Sequence, residues 1–230
     1  MNERFIESLS SLGITLTPEI SQAFEKYRNY LIQESQVLNL TTILDPEAIY
    51  SKHFLDSLTL SKVYPFSNQQ VLDVGSGAGF PAIPLKIVFP ELKLTLIDAT
   101  MKKIEFLKRL SERLELSGLT FVHGRIEEMK TKASYDLVVS RAVAKLNLLS
   151  ELCLPYVKIG GYFIAMKSAH YEAELTTAIS AIEKLGGNVK QVELVTIEPE
   201  LTHALIVIHK TKQTPLEYPR AFGKIKKHPL

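Results

Sequence analysis

Residues 71–81 read VLDVGSGAGFP, an apolar run that ends in an acid and breaks into three glycines. A strand that stops in glycines and opens a helix leaves backbone N–H groups and a positive helix end facing a ligand, with no Cβ to keep the ligand away. Gly75, Gly77 and Gly79 are spaced two and two, and Phe80 stands where a dinucleotide turn, G-x-G-x-x-G, needs its third glycine. A pyrophosphate therefore fits poorly, and the absence of a following Gly-Lys-Ser/Thr excludes a P-loop. Asp73, at the end of the strand, would repel phosphate. Its carboxylate suits the ammonium of an amino-acid moiety, reached directly or through water. S-adenosylmethionine has that ammonium, has no phosphate, and carries a sulfonium that favours nearby negative potential.

Two further strand ends extend the site. Asp98 closes KLTLID, 23 residues after Gly75, where a carboxylate either accepts from both ribose hydroxyls or caps the next helix. Ile126 and Glu127, in GRIEEM, pair an apolar residue with an acid, suited to an adenine face and its exocyclic amine; Ile126 taken alone would equally suit a core.

Around this turn the texture is that of an α/β protein. VLDVG (71–75), KLTLID (93–98), LTFVHG (119–124), YDLVVS (135–140), GYFIAMK (161–167), VKQVELVTI (189–197) and ALIVIHK (204–210) have strand character, and residues 81–89, 101–117, 145–156 and 170–185 have helical spacing. Alternation of strand and helix implies a doubly wound, mostly parallel, seven-stranded sheet of Rossmann-like type. The last two strands are joined by only six residues, Glu198 to His203, too few for a helical crossover, so the sheet should finish in an antiparallel hairpin. Before Gln70, apolar residues recur every three or four positions, and Thr17-Pro18-Glu19 and Asp45-Pro46-Glu47 look like helix starts, giving an N-terminal helical segment of about three helices. The expected organisation is residues 1–65 as that segment and 66–230 as the cofactor-binding domain with a basic tail.

Composition excludes several classes. Hydrophobic residues are 46% of the 230, yet no apolar run nears the roughly 20 residues that cross a bilayer, so a soluble protein without a membrane partner is expected. The first residues, MNERFIESLSSLG, lack the apolar stretch of a secretory signal, and the one cysteine, Cys153, cannot form an internal disulfide; the expected setting is cytoplasmic. Six histidines and one cysteine show no ligand spacing, so no metal is expected. Net charge is only +2, but from His209 onward Lys210, Lys212, Arg220, Lys224, Lys226 and Lys227 face Glu217 alone, leaving the remainder at −3.

The chain resembles the class I S-adenosylmethionine-dependent methyltransferases, and more narrowly the bacterial 16S rRNA (guanine-N7) methyltransferases once called glucose-inhibited division protein B. The likeness rests on NLTTI (39–43), HFLDSL (53–58), DVGSGAGFPAIPL (73–85), YDLVVSRAVA (135–144), GGYFIAMK (160–167) and the closing YPRAFGKIKKHPL, and so spans nearly the whole chain. It departs from the family at Glu34-Ser35, Ala82 and Ser168. The resemblance implies an enzyme that methylates N7 of a guanine in 16S rRNA of the small ribosomal subunit, near the decoding region; a monomer is expected. It assigns Gly75, Phe80, Ile126, Glu127 and Arg141 to the cofactor, and the class I layout adds Asp98, Ala99 and Thr100 beside the ribose.

Guanine N7 has an in-plane lone pair and loses no proton on methylation, so no general base is required and none is named. Arg141 is the positioning candidate, donating to guanine O6, to a phosphate or to the methionine carboxylate. RNA would be held by Lys167, Arg220, Lys224, Lys226 and Lys227, with Tyr218 and Phe222 offering stacking faces. The helix bearing Lys102, Lys103, Lys108, Arg109 and Arg113 serves either RNA or solvent. His53 is either a packed histidine or part of the RNA face. Two other readings use the same residues: a class I methyltransferase acting on a small molecule or a protein side chain, and a non-catalytic RNA-binding module whose glycine turn only builds the sheet.

Overall fold

The computed structural model describes residues 3–141, 143–198 and 201–230. Ala142, within VVSRAV, and Pro199 and Glu200, within the connection between the last two strands, lie outside the described residues.

Three helical stretches come first: α1 (Glu3–Ser11), α2 (Pro18–Leu38) and a composite run from Pro46 to Lys62. Thr17 caps α2, its hydroxyl accepting the Ile20 N–H at 3.3 Å, and α2 stops at Asn39 in the left-handed region. Asp45 caps the third stretch by accepting the Ala48 N–H at 2.7 Å. That stretch passes from α3 (Pro46–Ile49) through a π-helical turn (Tyr50–Leu55) into α4 (Asp56–Leu58) and a 3-10 turn (Thr59–Lys62). The wide turn carries His53 and delivers Asp56, both buried, toward the sheet.

Seven strands form one sheet: β1 (Gln70–Val74), β2 (Lys93–Asp98), β3 (Leu119–His123), β4 (Tyr135–Arg141), β5 (Val157–Ser168), β6 (Gly187–Glu198) and β7 (Leu201–Lys210). Their order is β3-β2-β1-β4-β5-β7-β6, with β1 to β5 parallel and β7 antiparallel to both neighbours. The expected hairpin is present, and its second strand is the one inserted beside β5. Strand order reverses between β1 and β4, which places a ligand crevice above their carboxyl ends.

Period-two alternation sorts the core onto two faces. Val71, Leu94, Leu137, Val139 and Ile164 point to the face covered by α1, α2, α5 (Ala82–Val88) and α6 (Met101–Arg113). Leu72, Val138, Phe163, Ala165 and Ile206 point to the face covered by α7 (Leu146–Cys153), α8 (Glu172–Lys184) and α9 (Phe222–Lys227). The N-terminal helices thus share an apolar core with the sheet. α6 ends four residues before the expected 117 because Glu115 turns left-handed (φ 54°) and Leu116 N–H returns to Ser111 O. The helix expected over 145–156 gives way to a 3-10 turn at Leu154-Pro155-Tyr156, where proline cannot supply an N–H. No helix among the described residues is long and apolar enough to cross a membrane.

Candidate active site

The glycine turn is fastened to its neighbours by backbone. Gly75 and Ser76 N–H both donate to Ile97 O, at 2.9 and 3.1 Å, joining the ends of β1 and β2. Gly77 N–H donates to Asp98 Oδ2 at 3.0 Å, and Thr100 N–H to Asp98 Oδ1 at 2.8 Å. Asp98 thus ties the glycine turn to the residue before α6, while α6 itself has Thr100 at its N-cap with no side-chain cap hydrogen bond, so the helix-cap reading of Asp98 is not what the structure shows. Each of its oxygens accepts one bond and keeps a lone-pair site, and the residue also lines the crevice. Gly75 sits at φ +74°, and a Cβ there would stand 2.5 Å from Val143 Cγ2. At Gly79, φ +101°, a Cβ would meet Ile83 Cγ1 at 2.7 Å and the Tyr27 hydroxyl at 2.9 Å, so helix and sheet close down on bare backbone.

Above the turn lies a crevice of about 170 Å³ that gathers Gly75, Asp98, Ala99, Ile126 and Glu127. Three strand ends meet there. Among the walls the sequence reading did not assign to the cofactor are Val143 from the β4–α7 loop, Arg125, Leu152, and Phe222 from the tail. Arg125 places its guanidinium 5.1 Å from the Phe222 ring centre, closing the crevice from the tail side. Phe222, read from sequence as an RNA stacking face, is thus half-buried against this crevice. Gly77, Phe80, Thr100 and Arg141 do not line it.

Asp73 also stands apart. It points to the α5 side of the sheet, is fully buried, and neither carboxylate oxygen has a hydrogen-bond partner. Burial pushes its carboxyl up to about 8; the Ser76 hydroxyl, the charge of Arg141 and the Ala82 N–H lie near enough to offset part of the cost without making a well-formed hydrogen bond. An ammonium cannot touch it in this arrangement without a water between them or a movement of the turn. Two buried, unpartnered oxygens directly beneath a ligand turn are what a cationic ligand or its water would satisfy, and the residues present suit an adenosyl amino acid in that respect.

On the other side of Phe80 the side chains form a charged cluster. Arg141 Nη1 donates to Asp56 Oδ2 at 2.9 Å and to Lys52 O at 3.3 Å, and its guanidinium lies 4.7 Å from the Phe80 ring centre. His53 stacks on the same ring at 4.4 Å and its Nε2 is 2.8 Å from Thr41 Oγ1. Burial and the charge of Arg141 push the His53 imidazole down to about 4, so it is a packed, neutral histidine. Asp56 Oδ1 takes His203 Nδ1 at 2.6 Å. Tyr27 of α2 stacks on Phe80 and donates its hydroxyl to Ala78 O at 2.5 Å, holding the glycine turn from the N-terminal side.

The basic residues divide. Arg220 is directed inward: its backbone N–H, Nε and Nη2 donate to the fully buried carboxylate of Glu151 at 2.9, 2.8 and 2.6 Å. It is a structural anchor of the tail, and the expectation that it contacts RNA is corrected, as is that for Tyr218, which is buried. Lys167 is likewise held inside, with Nζ 2.6 Å from Glu174 Oε1 and 2.8 Å from Ala144 O. Lys210 is buried, its Nζ on Leu185 O and Thr214 Oγ1. On α6, Arg109 bonds Tyr30 and Glu34, and Arg113 covers the Tyr30 ring. Lys224, Lys226 and Lys227 are exposed on α9, beside the crevice wall made by Phe222. Among the described residues no group of three or more His, Cys, Asp or Glu gathers as a metal site would.

Comparison with known proteins accords with this geometry. The model of the family described as rRNA small subunit methyltransferase G matches residues 20–202. Curated proteins named ribosomal RNA small subunit methyltransferase G from Bacillus cytotoxicus and Halalkalibacterium halodurans are 44% and 47% identical to the chain. The matches cover 99% and 98% of it, and 98% of each relative. Among solved structures, M. jannaschii TYW2 in complex with AdoMet superposes with a TM-score of 0.53 at 18% identity, over 62% of this chain and 69% of that one, a likeness of fold. The sheet order, the glycine turn and the full-length match lead to one assignment: the chain belongs to the rRNA small subunit methyltransferase G family.

Proposed function

We propose that the protein transfers a methyl group from S-adenosylmethionine to N7 of a guanine in 16S rRNA of the small ribosomal subunit, near the decoding region. The observation that carries this reading is the family match over residues 20–202 on a chain whose strand ends meet at a crevice lined by Gly75, Asp98, Ile126 and Glu127. Gly75, Ala99 and Ile126 offer backbone and apolar surface to the adenosyl group, Asp98 and Glu127 offer acceptors to its hydroxyls and amine, and Asp73 offers a counter-charge to the amino-acid end. Gly77 and Thr100 act by fixing Asp98. Phe80 and Arg141 form the border with the acceptor side.

The bound cofactor supplies an electrophilic methyl on a sulfonium. Held by these residues, it would offer that methyl to the guanine N7 lone pair in a transfer that moves no proton, so the chain needs no base. What its residues do is align the two partners and exclude water. Lys224, Lys226 and Lys227 meet the RNA backbone, and the enzyme works in the cytoplasm as a monomer. Labelled cofactor incubated with small subunits from cells lacking the gene tests this. Label should appear at one guanine as 7-methylguanine; label only in protein or metabolite fractions would end the reading.

A further inference from the structure

A second cleft, of about 400 Å³, opens among His53, Asp56, Arg141, Lys167, Glu174 and His203. Its size falls in the range of small-molecule pockets, roughly 300–1,000 Å³. Arg141 ends β4, Lys167 lies near the end of β5, and His203 lies near the start of antiparallel β7, so all three stand on the same carboxyl edge as the glycine turn. Phe80, which closes that turn, touches both Arg141 and His53. The cleft therefore opens at the same edge of the sheet as the glycine turn, beside the ring of Phe80.

Guanine N7 is hidden in the deep, narrow major groove of an RNA helix, so a base methylated there must be presented unstacked. On that edge guanine displays two acceptors, N7 and O6, whereas adenine displays N7 and an amine donor. A site that selects guanine and leaves N7 free to react needs one N–H donor aimed at O6.

The hydrogen bonds in the cleft occupy its two cations only in part, and they leave one ring nitrogen open. Arg141 Nη1 is taken by Asp56 and Lys52 O, and its Nη2 faces His53 Nδ1 at 3.4 Å. Lys167 Nζ is taken by Glu174 and Ala144 O. His53 uses Nε2 on Thr41 and Nδ1 on Lys52 O. His203 uses only Nδ1, on Asp56, and its Nε2 has no partner among the described residues; the side chain is 27% exposed. Resting on the function proposed above, we propose that this cleft holds the acceptor guanine and that His203, fixed by Asp56, donates its Nε2–H to O6.

With Nδ1–H directed at the carboxylate, Nε2 bears a proton only when the ring is an imidazolium. The hydrogen bond to Asp56 raises the His203 pKa, against burial and the charge of Arg141, which lower it. The other charged and titratable groups facing the cleft are Arg141, Lys167, Glu174 and His53, the last neutral throughout because it titrates near 4. Deprotonation would turn Nε2 from donor to acceptor and set it against O6. The rate should therefore fall on the alkaline side as His203 loses its proton.

The test measures kcat and KM for N7 methylation of unmodified small subunits across pH, together with cofactor affinity by calorimetry, for wild type, His203→Ala and His203→Gln. His203→Ala should lose about tenfold or more in kcat/KM, the cost of an unpaired polar group in a recognition site, with cofactor affinity within twofold of wild type. Glutamine offers an N–H that does not titrate, so His203→Gln should recover part of the rate and lack the alkaline fall. An alanine variant within twofold of wild type, a matching loss of cofactor affinity, or an unchanged alkaline fall in the glutamine variant would each overturn the role of His203. Wild-type protein that fails to label N7 would instead remove the function itself.

Discussion

Asp73→Asn should stabilise the ligand-free protein by an amount that grows with pH. In the folded chain burial pushes the carboxyl up to about 8, far above the ordinary aspartate range, and the Ser76 hydroxyl, the charge of Arg141 and the Ala82 N–H offset only part of that cost. The folded pKa is raised, so the contribution of this group is fully favourable below the unfolded value and is lost as pH climbs toward the folded one. Between the two values unfolding releases a proton, and stability falls by about 1.4 kcal/mol per pH unit. From pH 5 to 7.5 that is about 3 kcal/mol, which in a chain of this length corresponds to about 6–12 °C in Tm. Asparagine does not titrate, so the gap between variant and wild type should widen by this amount over the range. Thermal melts of both proteins at matched ionic strength, without cofactor, measure it. In the same preparations the variant should bind S-adenosylmethionine about tenfold more weakly or worse, through loss of a charge-assisted contact. Tm curves that run parallel with pH would refute the unpaired burial of Asp73, and undiminished cofactor binding would remove it from the cofactor site.

Arg220→Ala leaves the Glu151 carboxylate buried and unpaired, and should cost about 3–5 kcal/mol in urea unfolding; a loss below about 1 kcal/mol would show that the pair does not anchor the tail. Gly75→Val should abolish cofactor binding with an unchanged far-UV spectrum, since the side chain must displace Val143 at the crevice wall. Replacing Lys224, Lys226 and Lys227 by Ala should reduce the slope of log affinity against log salt for single-stranded RNA by about 2, leaving cofactor affinity alone; an unchanged slope would place the RNA path elsewhere.

Residues close in sequence to a strand end were legible. Gly75, Asp98 and Ile126-Glu127 could be placed because a parallel α/β sheet puts its ligand above carboxyl ends, and spacing alone finds those ends, whereas Asp73, Gly77 and Phe80 were read as cofactor contacts and lie off the crevice. Contacts of long sequence separation were not: Asp56 and His203 are 147 residues apart, and nothing local in either points to the other. The tail misled for a physical reason. A run of cations looks alike whether it faces solvent or a buried acid, and Arg220 was read as a surface charge. The missed signal was Glu151, a lone acid in the apolar run LNLLSELCLPY, which cannot be buried without a partner. Asp56 within HFLDSL carries the same signal.

The stacking of Tyr27 on Phe80, with its hydroxyl on Ala78 O, bears on how this protein could be rebuilt. The loop that faces the ligand draws its shape from a ring about fifty positions upstream, on a helix that contributes nothing to the sheet. Chimaeras that exchange leading segments between homologues would keep a properly formed loop only where both rings come from the same parent.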